Sequence, residues 1–240
     1  KYYIYIMSTS ILNIEEVSIF QQDEIIFENI NINVNKGDFI YLIGKTGSGK
    51  SSLIKTLYAD LELKKGEITV GGFSLNNLKE KKIPFLRRKL GVVFQDFNLL
   101  QDRSVFDNLK FVLQATEWKG KKKIEDRIYK VLEIVNIKDL THKFPHQLSG
   151  GQKQKVAISR ALLNSPDLII ADEPTGNLDP KTSLEIMQLL LDLNKKGNTI
   201  LMATHDFILI KEFPHKTLLC NNKSISSIDI TGMSVENIYE

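Results

Sequence analysis

A lysine and two serines close a glycine-spaced segment, Gly44-Lys45-Thr46-Gly47-Ser48-Gly49-Lys50-Ser51-Ser52, whose first eight residues fit G-x-x-x-x-G-K-[ST]. Such spacing suits one task, gripping the phosphates of a nucleoside triphosphate. Several backbone N–H groups must converge on one anion, and side chains there would block its approach. Gly44, Gly47 and Gly49 leave that path open, and a helix starting behind them adds its partial positive charge. Lys50 has the reach for the β- and γ-phosphates, and the Ser51 hydroxyl suits direct ligation of Mg²⁺. Ser52 is placed to donate to the α-phosphate. A chance match arises in roughly one chain in a hundred of this length. The dense apolar run before the loop and the helical pattern after it argue against chance.

Two carboxylates end the apolar run Leu168-Ile169-Ile170-Ala171-Asp172-Glu173. An acidic residue at the end of a buried strand is costly unless it meets a cation or a donor. Asp172 is therefore read as the carboxylate that orients Mg²⁺ through a water. Glu173, one residue on, is the candidate general base, or the group that positions the attacking water. A third apolar run, residues 199–203, leads into Thr204-His205-Asp206. A lone histidine after a strand is more often structural. Here its strand is expected beside the Asp172 strand, which makes His205 a site candidate. His142, His146 and His215 have no such context, and with a single cysteine they argue against a dedicated transition-metal site.

These groups need strands and helices to hold them. Residues 12–17 and 30–34 alternate apolar with polar and read as half-exposed strands around a polar turn at 21–24. The run Phe39-Ile40-Tyr41-Leu42-Ile43 suits a strand buried on both faces, with a helix over 51–58 after the loop. Residues 66–72 read as a hairpin, and 91–94 as another buried strand ending at Gln95. From 104 to about 138 the apolar spacing turns helical, with no strand signal. Strands at 168–171 and 199–203 flank a helix from Pro180 to Lys196 that stops at Gly197. The reading is an α/β protein with a mostly parallel core sheet, an antiparallel β subdomain and an inserted helical subdomain. It forms one domain over 8–230, with the core and β subdomain over about 10–98 and 160–225 and the helical part over about 99–159. Residues 1–7 are read as an extension ahead of or at Met7 and 231–240 as a tail, and from Ser224 to Glu240 the sequence gives little usable signal.

The totals exclude several classes. At 240 residues one core with a smaller lobe is affordable, and 42% hydrophobic with 25% charged is ordinary for a globular protein. A net charge of +3, with both signs interspersed, gives no reason to expect nucleic acid. No run of about 18 apolar residues offers a membrane span, and the opening Lys1-Tyr2-Tyr3-Ile4-Tyr5-Ile6 is too short for a signal peptide. Cys220 fits a reducing compartment and reads as a small apolar residue in a late strand. The lysines at 119–123 read first as a solvated loop, with anionic lipid contact as the second reading.

Leu148-Ser149-Gly150-Gly151-Gln152 is the signature of ATP-binding-cassette (ABC) ATPases, and the chain resembles that superfamily over nearly its whole length. The resemblance implies a P-loop NTPase fold, ATP as substrate and Mg²⁺ as cofactor. It makes Gln95 the Q-loop glutamine, which touches Mg²⁺ and water and senses a membrane partner. Asn177-Leu178-Asp179 becomes the D-loop, and His205 the switch histidine at the γ-phosphate. Phe20 is the aromatic expected on the adenine, with Phe27 in reserve, because a flat ring offers apolar contact to any base. The family geometry sets Ser149, Gly150, Gly151 and Gln152 far from their own Gly44 loop. Two copies are therefore expected to meet head to tail, each signature closing on the other's ATP. Lys153-Gln154-Lys155 departs from the usual pattern, since Lys155 stands where arginine is common and lacks its fork.

Ile83-Pro84-Phe85-Leu86-Arg87-Arg88-Lys89 and the stretch 94–105 resemble the cell-division branch, FtsE. In that branch two ATPase subunits sit under a membrane protein, FtsX, and the complex activates peptidoglycan hydrolases. The resemblance thus implies an FtsX-like permease partner and a peripheral place on the inner face of the bacterial cytoplasmic membrane. The LolD and MacB types, which release lipoproteins or drive efflux, share the same motifs and stand as the alternative. A nucleotide-gated scaffold with slow hydrolysis is a further reading, against which Lys50, Glu173 and His205 count. A soluble ABC protein of DNA repair or ribosomes would carry long coiled-coil insertions or two cassettes, and this chain has neither.

Overall fold

Phe39–Ile43 (β3) shows why the core takes its form. All five residues are buried, and successive side chains enter opposite layers. Ile40 and Leu42 join one apolar cluster with Leu53, Ile54, Ile170 and Leu201. Phe39, Tyr41 and Ile43 join another with Leu109, Val156 and Ile186. A strand covered on both faces needs a continuous apolar run, which is what the sequence supplies.

The computed structural model describes residues 10–230. The expectations for the extension at 1–7, the start at Met7 and the tail at 231–240 lie outside those residues. The remaining strands are Ser10–Gln21 (β1), Glu24–Asn35 (β2), Lys65–Val70 (β4), Phe73–Ser74 (β5), Leu90–Val93 (β6), Leu168–Asp172 (β7), Thr199–Ala203 (β8), Lys216–Asn221 (β9) and Ser224–Ile228 (β10). A six-stranded sheet runs β10-β9-β3-β8-β7-β6, parallel throughout except that β10 pairs antiparallel with β9. An antiparallel sheet of four runs β2-β1-β4-β5. The helices are Lys50–Leu57 (α1), Ile83–Lys89 (α2), Val105–Ala115 (α3), Lys121–Ile134 (α4), Gly150–Leu162 (α5), Pro180–Lys195 (α6) and Phe207–Glu212 (α7). No helix among the described residues is long and apolar enough to cross a membrane.

Two differences from the sequence expectations have physical causes. β1 and β2 each run for 12 residues, longer than the alternation at 12–17 and 30–34 suggests. Glu16 adopts φ +50°, and the register with β2 shifts between Ile14 and Val17. That bulge breaks the two-residue period that would have announced one strand. β10 falls in the stretch from 224 onward that gives no usable signal. It is Ser-rich and mostly exposed, and the backbone ladder to β9 defines it.

β6 and α5 approach closely through Gly91. A Cβ there would stand 2.8 Å from the Ala161 carbonyl oxygen and 3.0 Å from the Pro166 ring. The helix therefore lies directly on the strand that leads to Gln95. Gly91→Ala should force the two apart and cost about 1–3 kcal/mol, read as a lower urea midpoint with unchanged slope.

Candidate active site

The loop at 44–51 joins the end of β3 to α1, at the edge where β7 and β8 also end. Asp172 pairs with Ala203, and Ala203 with Leu42, so three strand ends stand level. Gly49 is the N-cap of α1 at φ +96°, a conformation side chains rarely adopt. A Cβ there would also strike Ile26 and come within 2.7 Å of the Phe27 ring. Phe27 is thus the fully buried floor beneath the loop. It has no free face for a base, which removes it as the reserve aromatic. Phe20 lies half-buried at the far end of β1, with the Lys64 ammonium 5.8 Å from its ring centre. Its neighbour Gln21 accepts from the Ser52 hydroxyl at 3.4 Å, so this end of β1 stands beside the start of α1.

Lys50 is only 8% exposed and folds back over the loop. Its Nζ donates to the carbonyls of Gly44 at 2.8 Å and Lys45 at 3.3 Å. The Gly44 turn itself rests on β9. A Cβ at Gly44 would lie 2.7 Å from the Cys220 carbonyl and 3.0 Å from its Cβ. Burial pushes the Cys220 thiol up to about 12, so it stays protonated and apolar.

The Ser51 hydroxyl donates to Asp172 Oδ2 at 3.3 Å. Two oxygen donors from different elements converge there, a chemistry suited to a hard cation such as Mg²⁺. Burial, the largest influence, raises the Asp172 carboxyl above the usual range, and adjacent Glu173 adds to this. The Ser51 hydrogen bond and the Lys50 charge pull the other way.

Glu173 takes φ +49°, a left-handed backbone that costs a side chain about 1–2 kcal/mol. Its N–H donates to the Ala203 carbonyl at 2.9 Å, and its own carbonyl accepts from Gly176 N at 3.1 Å. These bonds hold the strained turn. Glu173 Oε2 meets His205 Nδ1 at 2.8 Å, with the carboxylate side chain 14% and the imidazole 61% exposed. The carboxylate is therefore sheltered and aimed, while the histidine stays open to solvent.

Gln95 is exposed just beyond β6, and its amide nitrogen would sit 3.1 Å from a Cβ at Gly176. No hydrogen bond joins it to Ser51 or Asp172. Asn177 Nδ2 instead donates to the Gln95 carbonyl at 3.2 Å and to Asp96 Oδ1 at 3.4 Å, latching this loop to the segment after Glu173. Asp179 caps α6, accepting from Thr182 N at 3.1 Å and Thr182 Oγ1 at 2.6 Å. Those bonds hold its carboxyl below the usual range. Ser149 caps α5 in a reciprocal pair with Gln152, at 3.3 and 2.9 Å. A Cβ at Gly150 would stand 3.0 Å from Leu178, and one at Gly151 would strike Thr182. The signature glycines thus let α5 start hard against the 177–182 segment.

The structure brings Lys50, Ser51, Asp172, Glu173 and His205 to one edge. It sets Ser149, Gly150, Gly151 and Gln152 with Leu178 and Thr182 instead. Arg160 escaped the sequence reading. On the last turn of α5, its Nη2 donates to the Phe97 carbonyl at 2.8 Å and its Nη1 to the Asn98 carbonyl. Both carbonyl residues have positive φ, +59° and +48°. A cation in the last turn of a helix reads as ordinary dipole compensation, so no local signal marks it.

A glycine loop of the phosphate-binding pattern on a parallel sheet, with a sheltered carboxylate just past the end of β7, is the arrangement of a nucleoside-triphosphatase. The comparisons fix the kind. The ABC transporter family profile matches residues 27–176. The chain is 42% identical over 193 residues to the cell division ATP-binding protein FtsE of Streptococcus pneumoniae serotype 2 (strain D39 / NCTC 7466), covering 80% of this chain and 84% of that protein. It is 46% identical over 177 residues to FtsE of Bacillus subtilis (strain 168), covering 74% and 77%. Among solved structures, the dimeric post-hydrolysis state of the ATP-binding cassette MJ0796 bound to ADP and Pi matches with a TM-score of 0.80 at 30% identity. That match covers 92% of this chain and all of the other. The chain belongs to the ABC transporter family, as an ATP-hydrolysing cassette.

Two measurements probe the site's physics. The folded Asp172 binds its proton more tightly than the unfolded residue does. Stability is therefore lost as pH rises from the ordinary carboxylate value through the raised folded value. Asp172→Asn should raise Tm by a few degrees at neutral pH, and the gain should vanish in acid. Arg160→Gln should cost about 2 kcal/mol by leaving the Phe97 and Asn98 carbonyls short of donors, and Arg160→Lys should restore only part in urea titrations.

Proposed function

We propose that this chain is the ATPase subunit of an FtsE-type complex, in which two copies close head to tail beneath an FtsX-like permease on the inner face of the cytoplasmic membrane. The complex would control peptidoglycan hydrolysis during cell division. The observation that carries the catalytic part is the Glu173 carboxylate, held at 2.8 Å from His205 on a strained backbone beside the Ser51–Asp172 pair. The FtsE relatives and the resemblance over residues 83–105 support the biological part.

In this reading the 44–51 N–H groups cradle the phosphates, and Lys50 leaves the Gly44 carbonyl for the β- and γ-oxygens. Ser52 serves the α-phosphate and Phe20 the adenine. Ser51, Asp172 and Gln95 would hold Mg²⁺. Charge neutralisation on the β- and γ-phosphates would come from Mg²⁺ held there. Glu173 takes the proton of, or orients, the water that attacks the γ-phosphorus in line. His205 holds that carboxylate in place and reaches the γ-phosphate. Ser149, Gly150, Gly151 and Gln152 complete the site of the other copy, with Asp179 fixing the segment between.

Glu173→Gln should keep ATP affinity, shift the ATP-loaded protein to a dimer on gel filtration, and lower turnover by about 10²–10⁴-fold. Unchanged steady-state turnover would overturn the mechanism. A dimer that signals equally well in both forms would favour the nucleotide-gated scaffold. Affinity capture from native membranes tests the partner. A four-helix permease with septal hydrolase machinery supports the cell-division reading, and lipoprotein-releasing permeases would move the chain to the LolD type.

A further inference from the structure

A lysine-rich surface away from the nucleotide edge lies on the helices between β6 and β7. Lys110 of α3, Lys119 of the following turn and Lys121 at the start of α4 border one cavity of about 470 Å³ with Phe106, Trp118 and Glu125. Lys122 and Lys123 continue the run, both exposed. This run is anchored. Trp118 Nε1 donates to Asn164 Oδ1 at 2.9 Å, and the Lys123 ammonium lies 5.2 Å from the indole centre. Among the described residues none of these five lysines enters an ion pair, whereas Arg88, Lys89 and Lys155 each find a carboxylate. Phe144, 37% exposed, lines a second cavity with Lys110, and Phe111 on the same helix as Lys110 is 44% exposed with the Arg103 guanidinium 4.4 Å from its ring centre.

Unpaired cations held on a fixed turn beside exposed rings suit a particular surface. We propose that this face rests on a bilayer bearing anionic phospholipid headgroups, the lysines meeting phosphates and the phenylalanines entering the interface. Asp102, Asp107 and Glu125 interrupt the patch, so it offers no continuous cationic track to a nucleic-acid strand. Asp107 is further committed to Ser104 Oγ at 2.6 Å. The inference rests on the proposed placement beside a membrane permease, and it adds a second attachment that needs no permease.

The test is co-sedimentation of the full chain with vesicles of phosphatidylglycerol and phosphatidylcholine mixed about one to two, against phosphatidylcholine alone. Binding should require the anionic lipid and weaken steeply with salt. Each lysine near such a surface changes partitioning about fivefold, so replacing Lys119, Lys121, Lys122 and Lys123 by Gln should lower it about 10²-fold or more. ATP turnover of that variant in solution should match the parent and shows that it folds. Retained vesicle binding by the variant, equal binding to neutral vesicles, or displacement of the parent by an RNA oligonucleotide would each overturn the inference. The ATPase reading stands or falls separately on Glu173→Gln, and the permease on capture from membranes.

Discussion

The row Leu42–Ala203–Asp172, three residues paired across adjacent parallel strands, is the constraint from which the candidate catalytic edge follows. Beyond it the backbone continues the same pairing for one more step. Thr204 N donates to the Leu42 carbonyl at 3.1 Å and Glu173 N to the Ala203 carbonyl at 2.9 Å. Those two bonds decide where the glycine loop departs, where Glu173 turns left-handed and where His205 begins. A register slip of one residue would reverse every side chain in the strand and send Asp172 into the core. The apolar clusters on both faces resist that slip, since Ile40 and Leu42 belong to one and Tyr41 and Ile43 to the other.

Much of the site was legible because its chemistry is local. Glycines before a lysine, and carboxylates after a buried strand, announce themselves in six or eight residues. The parallel order of β3, β8 and β7 was also within reach, since the helix over 180–195 leaves a crossover as the natural connection. What stayed hidden is long-range. Arg160 meets the backbone of residues more than sixty positions away. Gln95 leans on Gly176, and Phe27 lies beneath Gly49, through folds that no spacing records. The bulge at Glu16 and the Ser-rich edge strand β10 show the other limit. There the pattern was present but interrupted, or carried by backbone rather than by side chains.

α5 links two parts that the motifs treat separately. Its first turn carries the signature against Leu178 and Thr182, and its last turn both lies on the β6 backbone at Gly91 through Ala161 and grips Phe97 and Asn98 through Arg160. Asn177 closes the circuit by holding the Gln95 carbonyl. The helix thus joins the signature end to the loop after β6 through packed backbone and the half-buried Arg160 guanidinium.

Cys220 has a consequence of another kind. Its thiol is buried under the Gly44 turn, protonated at any working pH, and the chain has no second sulfhydryl. A thiol reagent can reach it only when β9 parts from the loop. The rate of modification is therefore a clock for local opening under the Gly44 loop. The protein carries a built-in stopwatch for its own breathing, and needs no label engineered to read it.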